Sequence, residues 1–264
     1  MKHNDITILI LLYKTPKKLI KNILNYKDFK ILILDQSNDL KTKKYLKKRL
    51  PKIEYYGLTK INNGFAKAQN FLIKKVQTKY FFSSQADIQI TKNSIIKLKK
   101  IIEKNNNNLI AIPNINNSIS YKNRKKITSK KMIGAAFMSK KKDFIKIGMF
   151  DDNFFFYWED VDLSNRINNS SYRIVQNFYS KAIHSSGNST YKGINQTYIR
   201  KVNFRFGEYL YLNKNKKLRK LKIFREITLN VIRILLNLIT LKFNKSLLNI
   251  FNLVGIFKFL IFKK

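Results

Sequence analysis

Residues 6–35 read ITILILLYKTPKKLIKNILNYKDFKILILD. Two short β-rich apolar runs, Ile6 to Leu12 and Lys30 to Leu34, flank a lysine-rich stretch of helical spacing from Pro16 to Tyr26. Strand, helix and strand in that order imply parallel strands joined by a crossover helix. The first apolar run, Ile6 to Tyr13, is short, is closed by Lys14 and has no small-residue cleavage site behind it. It therefore reads as a buried strand and not as a signal peptide.

The same alternation continues outward from this stretch. Further strands are expected at Lys52–Tyr56 and Tyr80–Phe82, and further helices at Leu40–Arg49 and Phe65–Val76. The fold class is α/β. In such sheets ligands sit at the carboxyl ends of the strands, so chemistry is expected in the loops that hold Tyr13, Asp35 and Asp87. Residues 105–131 are rich in Asn, Ser and Lys and read as loop around one strand, Leu109–Ile112, between a nucleotide half and an acceptor half.

Composition sets the outer bounds. The 264 residues suit one domain, or one domain with an appendage, and 44% hydrophobic with 13% aromatic content is enough to build a core. With 54 Lys+Arg against 15 Asp+Glu the formal net charge is +39, which attracts phosphates, nucleic acid or an anionic membrane leaflet. Abundant Lys, Asn, Ile, Phe and Tyr beside scarce Gly and Pro are equally what A+T-rich coding DNA produces. The absence of cysteine excludes disulfides, thiolate nucleophiles and Cys-ligated metal sites, and permits a reducing cytoplasm.

From Lys214 onward the composition shifts, with a single acid, Glu226, among many basic and aliphatic residues. Residues 1–213 are expected to form the main domain and 214–264 a basic amphipathic helical appendage. Glu226, Asn230, Arg233, Asn237, Thr240 and Asn244 recur at steps of three and four, which places one narrow polar stripe on an otherwise apolar helix. The run Ser246–Phe262 carries one charge, Lys258, and is marginally short for the ~20 residues of a membrane span. Binding in the plane of an anionic membrane surface suits this region, with Lys214 to Arg225 meeting lipid headgroups. A helical hairpin packed on the protein's own core or on a second subunit suits it as well.

Because acids are scarce, their placement carries information. Asp151, Asp152, Glu159, Asp160 and Asp162 fall within twelve residues, directly around the aromatic run Phe154-Phe155-Phe156-Tyr157-Trp158. Clustered carboxylates on an apolar ledge are suited to a metal, a cation or acid/base work. Acids in the first turn of a helix, favoured by its dipole, give the same string, and Asp151 and Asp152 also read as turn residues.

The string Gly148-Met149-Phe150-Asp151-Asp152-Asn153-Phe154-Phe155-Phe156-Tyr157-Trp158-Glu159-Asp160-Val161-Asp162-Leu163-Ser164-Asn165-Arg166 closely resembles the acceptor-side signature of family 2 inverting glycosyltransferases, in particular the rhamnosyltransferase-like group. Other stretches resemble that family in the order it requires. Ile6 to Lys14 resembles its first strand. Ile33-Leu34-Asp35-Gln36-Ser37-Asn38-Asp39 resembles the motif whose aspartate contacts the nucleobase. Asn62-Asn63-Gly64-Phe65-Ala66-Lys67-Ala68-Gln69-Asn70 resembles a helix start beside the nucleotide, and Ser84-Gln85-Ala86-Asp87-Ile88 stands where the family carries its metal element, here with Asp87 as its one carboxylate. Gly134 to Met138 resembles the strand that lines the sugar pocket, and Lys181-Ala182-Ile183-His184 completes the pattern.

The resemblance runs from Ile6 to about Ser189 and implies the GT-A fold, a nucleotide-binding, mostly parallel sheet flanked by helices. It implies Asp160 as catalytic base, with Glu159 and Asp162 supporting or orienting it. Tyr13, Asp35, Asn62, Gly64 and Asn70 would bind the nucleotide, and Asp87 with His184 would hold Mg²⁺ or Mn²⁺ beside the diphosphate. Asp87 as a loop cap and His184 as a structural residue are the plainer readings of those two positions, and Arg166 could pair with Asp162 or meet phosphate. The implied partners are a UDP- or dTDP-sugar donor and a saccharide or lipid-linked acceptor, in cell-surface polysaccharide synthesis at the inner face of the cytoplasmic membrane. Two rivals stand beside this reading, a basic nucleic-acid-binding protein and a catalytically inactive scaffold. Against the first, the aromatics cluster beside carboxylates, which repel a phosphate backbone.

Overall fold

The computed structural model describes residues 4–57, 62–116, 126–185 and 193–263. In chain order the elements are β1 (Ile6–Leu12), α1 (Lys17–Ile20) running into a 3₁₀ turn (Lys21–Tyr26), β2 (Lys30–Asp35), α2 (Leu40–Arg49), β3 (Ile53–Gly57), α3 (Gly64–Lys75), β4 (Tyr80–Gln85), β5 (Ile88–Ile90) and α4 (Lys92–Lys104). There follow β6 (Asn108–Ile115), β7 (Lys126–Ser129), β8 (Ala136–Lys140), α5 (Lys141–Lys146), α6 (Glu159–Asn168), β9 (Arg173–His184), α7 (Ile194–Lys214), α8 (Lys220–Ile239) and α9 (Phe243–Lys263). The expected helix at Pro16–Tyr26 is one α-helical turn continued as 3₁₀. Ile20, Ile23 and Tyr26 are all buried at a spacing of three, and only a three-residue period turns all of them toward the sheet.

The strands form one sheet in the order β3-β2-β1-β4-β8-β6-β9-β5, with β7 paired to β9. Its first half, β3-β2-β1-β4, is parallel throughout, as crossover helices require. The sheet then becomes mixed: β8 runs antiparallel to both β4 and β6, β9 is parallel to β6, and β5 and β7 are antiparallel to β9. The sheet is therefore parallel throughout its first half and mixed in its second. Ile6, Ile8 and Ile10 of β1, with Ile31 and Ile33 of β2, Phe82 of β4 and Met138 of β8, form the core under it.

One consequence of this topology positions the site. Strands β1, β2, β4 and β9 all end at the same edge of the sheet, because β9 is parallel to β6, and both β6 and β4 are antiparallel to β8. The antiparallel β8 begins at that edge, where Ala136 pairs with Ser84 and the Ala135 carbonyl accepts from the Gln85 N–H at 3.1 Å. Tyr13, Asp35, Asp87, His184 and the Gly134–Ala135 turn are thereby brought to one rim.

The chain divides into two compact units, Met1–Asp151 with Asp160–Tyr191, and Asp152–Glu159 with Lys192–Lys264. Helix α7, expected to lie with the first domain, thus packs with α8 and α9 and with the aromatic segment 152–159. The second unit has its own core of Phe154, Phe206, Tyr209, Leu210, Ile256 and Phe259. Tyr157 and Trp158 adopt left-handed backbone at φ 71° and 72°, costly for non-glycine residues, and Trp158 rests against Phe204 and Tyr211 with ring centroids 5.7 and 5.4 Å apart.

Helix α9 is 21 residues long and contains an 18-residue window of mean hydropathy 1.6, and among the described residues it is the one helix long and apolar enough to cross a membrane. It crosses α7 so closely at Gly255 that a Cβ there would stand 2.6 Å from the Val202 carbonyl oxygen and 2.8 Å from Arg205 Cβ. Backbone cannot yield as a flexible side chain does. Gly255→Val is expected to destabilise the protein by about 1–3 kcal/mol in urea denaturation, the range for overpacking a close contact. At Gly193, where an added Cβ meets nothing within 4 Å, Gly193→Ala is expected to change stability by no more than about 0.5 kcal/mol.

Candidate active site

The rim begins with two aspartates whose surroundings differ completely. Asp35 ends β2 and is buried, and both of its oxygens are engaged. Oδ1 accepts from Ser37 N and Ser37 Oγ at 2.9 and 2.6 Å, and Oδ2 accepts from Asp39 N and the Tyr55 hydroxyl, each at 2.7 Å. Four donors fill the acceptor capacity of a carboxylate. This carboxylate, expected to contact the nucleobase, here folds the loop after β2. Burial, followed by the bond to Asp35, pushes the Tyr55 phenol well above its ordinary range.

That loop is tied onward to α3. Gln36 Oε1 accepts from Asn63 N at 2.7 Å and Gln36 Nε2 donates to the Gly64 carbonyl at 3.3 Å, while Asn62 Oδ1 accepts from Gly64 N at 2.9 Å. Gly64 takes φ +79°, which glycine alone adopts without strain, so the turn onto α3 depends on it. Asn62 and Gly64 thus sit with Gln36, and Lys14 N reaches Ser37 Oγ at 3.1 Å, which brings Tyr13 and its partly buried ring to the same corner. Gln36 and Tyr55 are the members that sequence reading passed over. Gln36 lies inside the quoted motif, whereas nothing in the order of residues signals that Tyr55 meets Asp35.

Asp87 is the opposite case. It follows β4, is 1% exposed, and neither carboxylate oxygen has a hydrogen-bond partner among the described residues. Facing it is His184, the last residue of β9, with Nε2 3.5 Å from Asp87 Oδ1. The two are joined by the β5–β9 pairing, which sets Ile88 opposite His184, and by Ser185 N donating to the Asp87 carbonyl at 3.2 Å. A buried carboxylate left without donors is expensive unless something charged completes it. One carboxylate and one imidazole suit a divalent cation that draws its other ligands from water and phosphate oxygens. No cluster of three or more His, Cys, Asp or Glu occurs among the described residues.

The carboxylate string opens α6, and its three members diverge. Asp160 lies beside Gly134, where an added Cβ would stand 3.6 Å from Asp160 Cβ. Burial pushes the Asp160 carboxyl above its ordinary value, opposed by backbone N–H groups of Gly134, Val161 and Asp160 and by the Lys131 charge. Asp162 is buried and accepts from Arg166 Nε at 2.9 Å, and the Arg166 guanidinium donates on to the carbonyls of Ile147 and Met149, each at 2.6 Å. Arg166 therefore pairs with Asp162 and grips the turn at Gly148, where φ is +93°. Glu159 is buried at the first position of the helix.

Asn70, expected beside the nucleotide, faces the Phe150 peptide. Its Nδ2 donates to the Phe150 carbonyl at 2.8 Å and its Oδ1 accepts from Phe150 N at 3.2 Å. The ring of Phe150 meets Phe65 edge-on at 5.6 Å, so Asn70 is a clamp between α3 and the segment leading into the carboxylates. Asn70→Ala removes both hydrogen bonds and leaves two backbone groups bare. It is expected to cost about 2–4 kcal/mol in chemical denaturation, with nucleotide affinity changed far less than stability.

The sequence pattern of Glycosyl transferase family 2 matches residues 11–163, more than half of the chain. A search of curated protein sequences returns no match. Among solved structures, GalNAc-T7 with UDP, GalNAc and Mn²⁺ aligns with TM-score 0.60 at 13% identity, over 72% of this chain and 43% of that one. S. aureus TarS aligns with TM-score 0.52 at 11% identity, over 83% of this chain and 45% of that one. The mannosyltransferase PcManGT from Pyrobaculum calidifontis, in complex with GDP-Man and Mn²⁺, aligns with TM-score 0.60 at 10% identity, over 98% and 88% of the two chains. The chain spans less than half the length of the first two, and the likeness to all three is one of fold, GT-A. With the family pattern covering both the nucleotide half and the carboxylate string, the chain belongs to glycosyl transferase family 2.

Proposed function

We propose that the protein transfers a hexosyl or rhamnosyl group, with inversion, from a nucleotide-sugar donor to a saccharide or lipid-linked saccharide. One observation carries this reading: the buried Asp87 carboxylate, short of hydrogen-bond donors, stands 3.5 Å from His184 at the rim where the parallel strands end. Such a pair is unfavourable in an isolated protein and suited to a cation with a diphosphate. Tyr13 and the Gln36–Gly64 corner lie at the same rim and provide a ring and backbone groups for a nucleoside. UDP and dTDP are the nucleotides favoured for the donor. The acceptor is a precursor of a cell-surface polysaccharide, met at the inner face of the membrane.

Asp160 is the base. As the acceptor oxygen bonds to the anomeric carbon, the bond from that carbon to the diphosphate oxygen breaks, its electron pair leaves with the nucleoside diphosphate, and the hydroxyl proton passes to the Asp160 carboxylate. A carboxyl raised by burial holds that proton better than an ordinary aspartate. Asp87 and His184 would hold Mg²⁺ or Mn²⁺, which when bound neutralises charge on the departing diphosphate. Asp162 acts through Arg166, keeping the Gly148 turn and hence α6 in place.

The donor is read by thermal shift with UDP, dTDP, GDP and CMP, with and without Mn²⁺. A ligand that binds the native state raises the melting temperature by mass action, so a shift with one nucleotide, dependent on Mn²⁺ and lost in Asp87→Ala, is expected. No shift with any nucleotide beside salt-sensitive binding to RNA or DNA would overturn the transferase reading, and nucleotide binding without turnover of any sugar donor would leave a scaffold.

Asp160→Asn separates chemistry from stability. Turnover, followed as nucleoside diphosphate release, is expected to fall by about 10²–10⁴-fold. The sign for stability is the reverse. With its folded value raised, Asp160 contributes stability that is fully present below the ordinary aspartate range and is lost as pH rises through the raised value. At neutral pH the uncharged isostere is expected to melt above wild type, and the wild-type activity profile should lose its acidic limb at a pH above an ordinary aspartate's.

A further inference from the structure

Helix α8 carries its polarity the wrong way round for a helix in water. The stripe Glu226, Asn230, Arg233 and Asn237 occupies one face, and Leu221, Phe224, Thr228, Ile232, Leu235 and Ile239, at steps of three and four, occupy the face about half a turn away. In a water-soluble helix the first face is exposed and the second buried. Here Asn230 is 0% exposed, donates to the Glu226 carbonyl at 2.7 Å and is met by Asn252 of α9 at 3.5 Å. Glu226 stands 4.0 Å from Arg205 of α7, which is bonded to Glu208 at 2.8 Å, and Lys222 completes the group at 3.0 Å from Glu208. Glu226 and Asn230 are thus turned inward and satisfied within the helical unit, Asn237 is half-buried, and Arg233 is the one exposed member of the stripe.

The apolar face is left outside. Leu221 is 76% exposed, Phe224 70%, Leu235 55% and Ile239 78%. The apolar exposure continues past the end of α8 through Leu241 and Phe243. Around the start of this stripe lie Lys214, Lys216, Lys217, Arg219, Lys220 and Arg225, and no acid stands between Lys214 and Arg225. Inward polar groups, an outward apolar stripe and a basic collar are together the requirements of a helix lying in a lipid interface.

We infer that α8 is the membrane-docking element of this protein. Its Leu221–Ile239 stripe enters the acyl boundary of an anionic bilayer and the Lys214–Arg225 cations meet lipid phosphates. The occupant is lipid and not a second copy of the chain, because a self-complementary interface would set the +39 chain's basic collar against a copy of itself. This rests on the reading above that the acceptor is reached at a membrane surface, and it names the surface that does so. It also assigns the role to α8 in preference to α9, whose Ile256 and Phe259 are buried in the helical unit.

The test is flotation of the full chain with vesicles of phosphatidylcholine alone and of phosphatidylcholine mixed with phosphatidylglycerol. Wild type is expected to float with the anionic vesicles, less so at high salt, and Leu235→Glu with Ile239→Glu to reduce the bound fraction by about tenfold or more. A second variant, Lys216→Glu with Lys217→Glu, should lose the preference for anionic lipid without touching the apolar stripe. Nucleotide-dependent thermal shifts on the same proteins report the donor site separately. Flotation retained in a protein that binds no nucleotide supports the docking surface while removing the transferase reading. Wild type that stays unbound with anionic vesicles would overturn the inference, as would a glutamate variant that floats like wild type. So would a lipid-free dimer that Ile239→Glu dissociates, which would give the face to a second copy.

Discussion

The arrangement of the candidate site depends on one directional constraint: β1, β2, β4 and β9 run the same way, so their last residues share an edge. Backbone hydrogen bonding fixes that direction before any side chain is considered, and the side chains that matter are those at strand ends. Asp87 and His184 are 97 positions apart in the chain and 3.5 Å apart in space because that edge and the β5–β9 pairing bring them together. The antiparallel β8 contributes by starting where the others end, which places the Gly134 turn against Asp160.

A second set of ties holds the rim in place. Asp35 folds its loop, Gln36 ties that loop to Gly64, Asn70 clamps Phe150, and Asp162 with Arg166 grips the Gly148 turn. All four use polar side chains buried against backbone groups, where an unmade hydrogen bond is costly. Such ties restrict the rim to one geometry, and they explain why several polar residues in the site motifs face their own chain.

Much of this was legible in the sequence because its signals are local. Alternating runs mark β1 to β4 and their helices, and the carboxylate string marks α6. What was not legible is what depends on distant partners. The order of residues gives no sign that β8 runs antiparallel between β4 and β6, nor that Asn70 meets a peptide 80 positions away. The polar stripe on α8 was visible as a period, but its direction was not. Periodicity locates a face, and only the packing of α7 and α9 decides whether that face looks inward. The same holds for α7, whose sequence continues smoothly from the first domain while its contacts belong with the last two helices.

The partly desolvated Asp160 bears on how such a sequence persists. A carboxylate pushed toward its protonated form by burial leaves the folded state less stable at neutral pH than an uncharged replacement would. Random substitution followed by selection for folding alone would therefore tend to remove it, since stabilising replacements are easy to reach from any natural sequence. In a chain with only 15 acids, Asp160 is a position where a charged carboxylate and the stability of the fold pull in opposite directions.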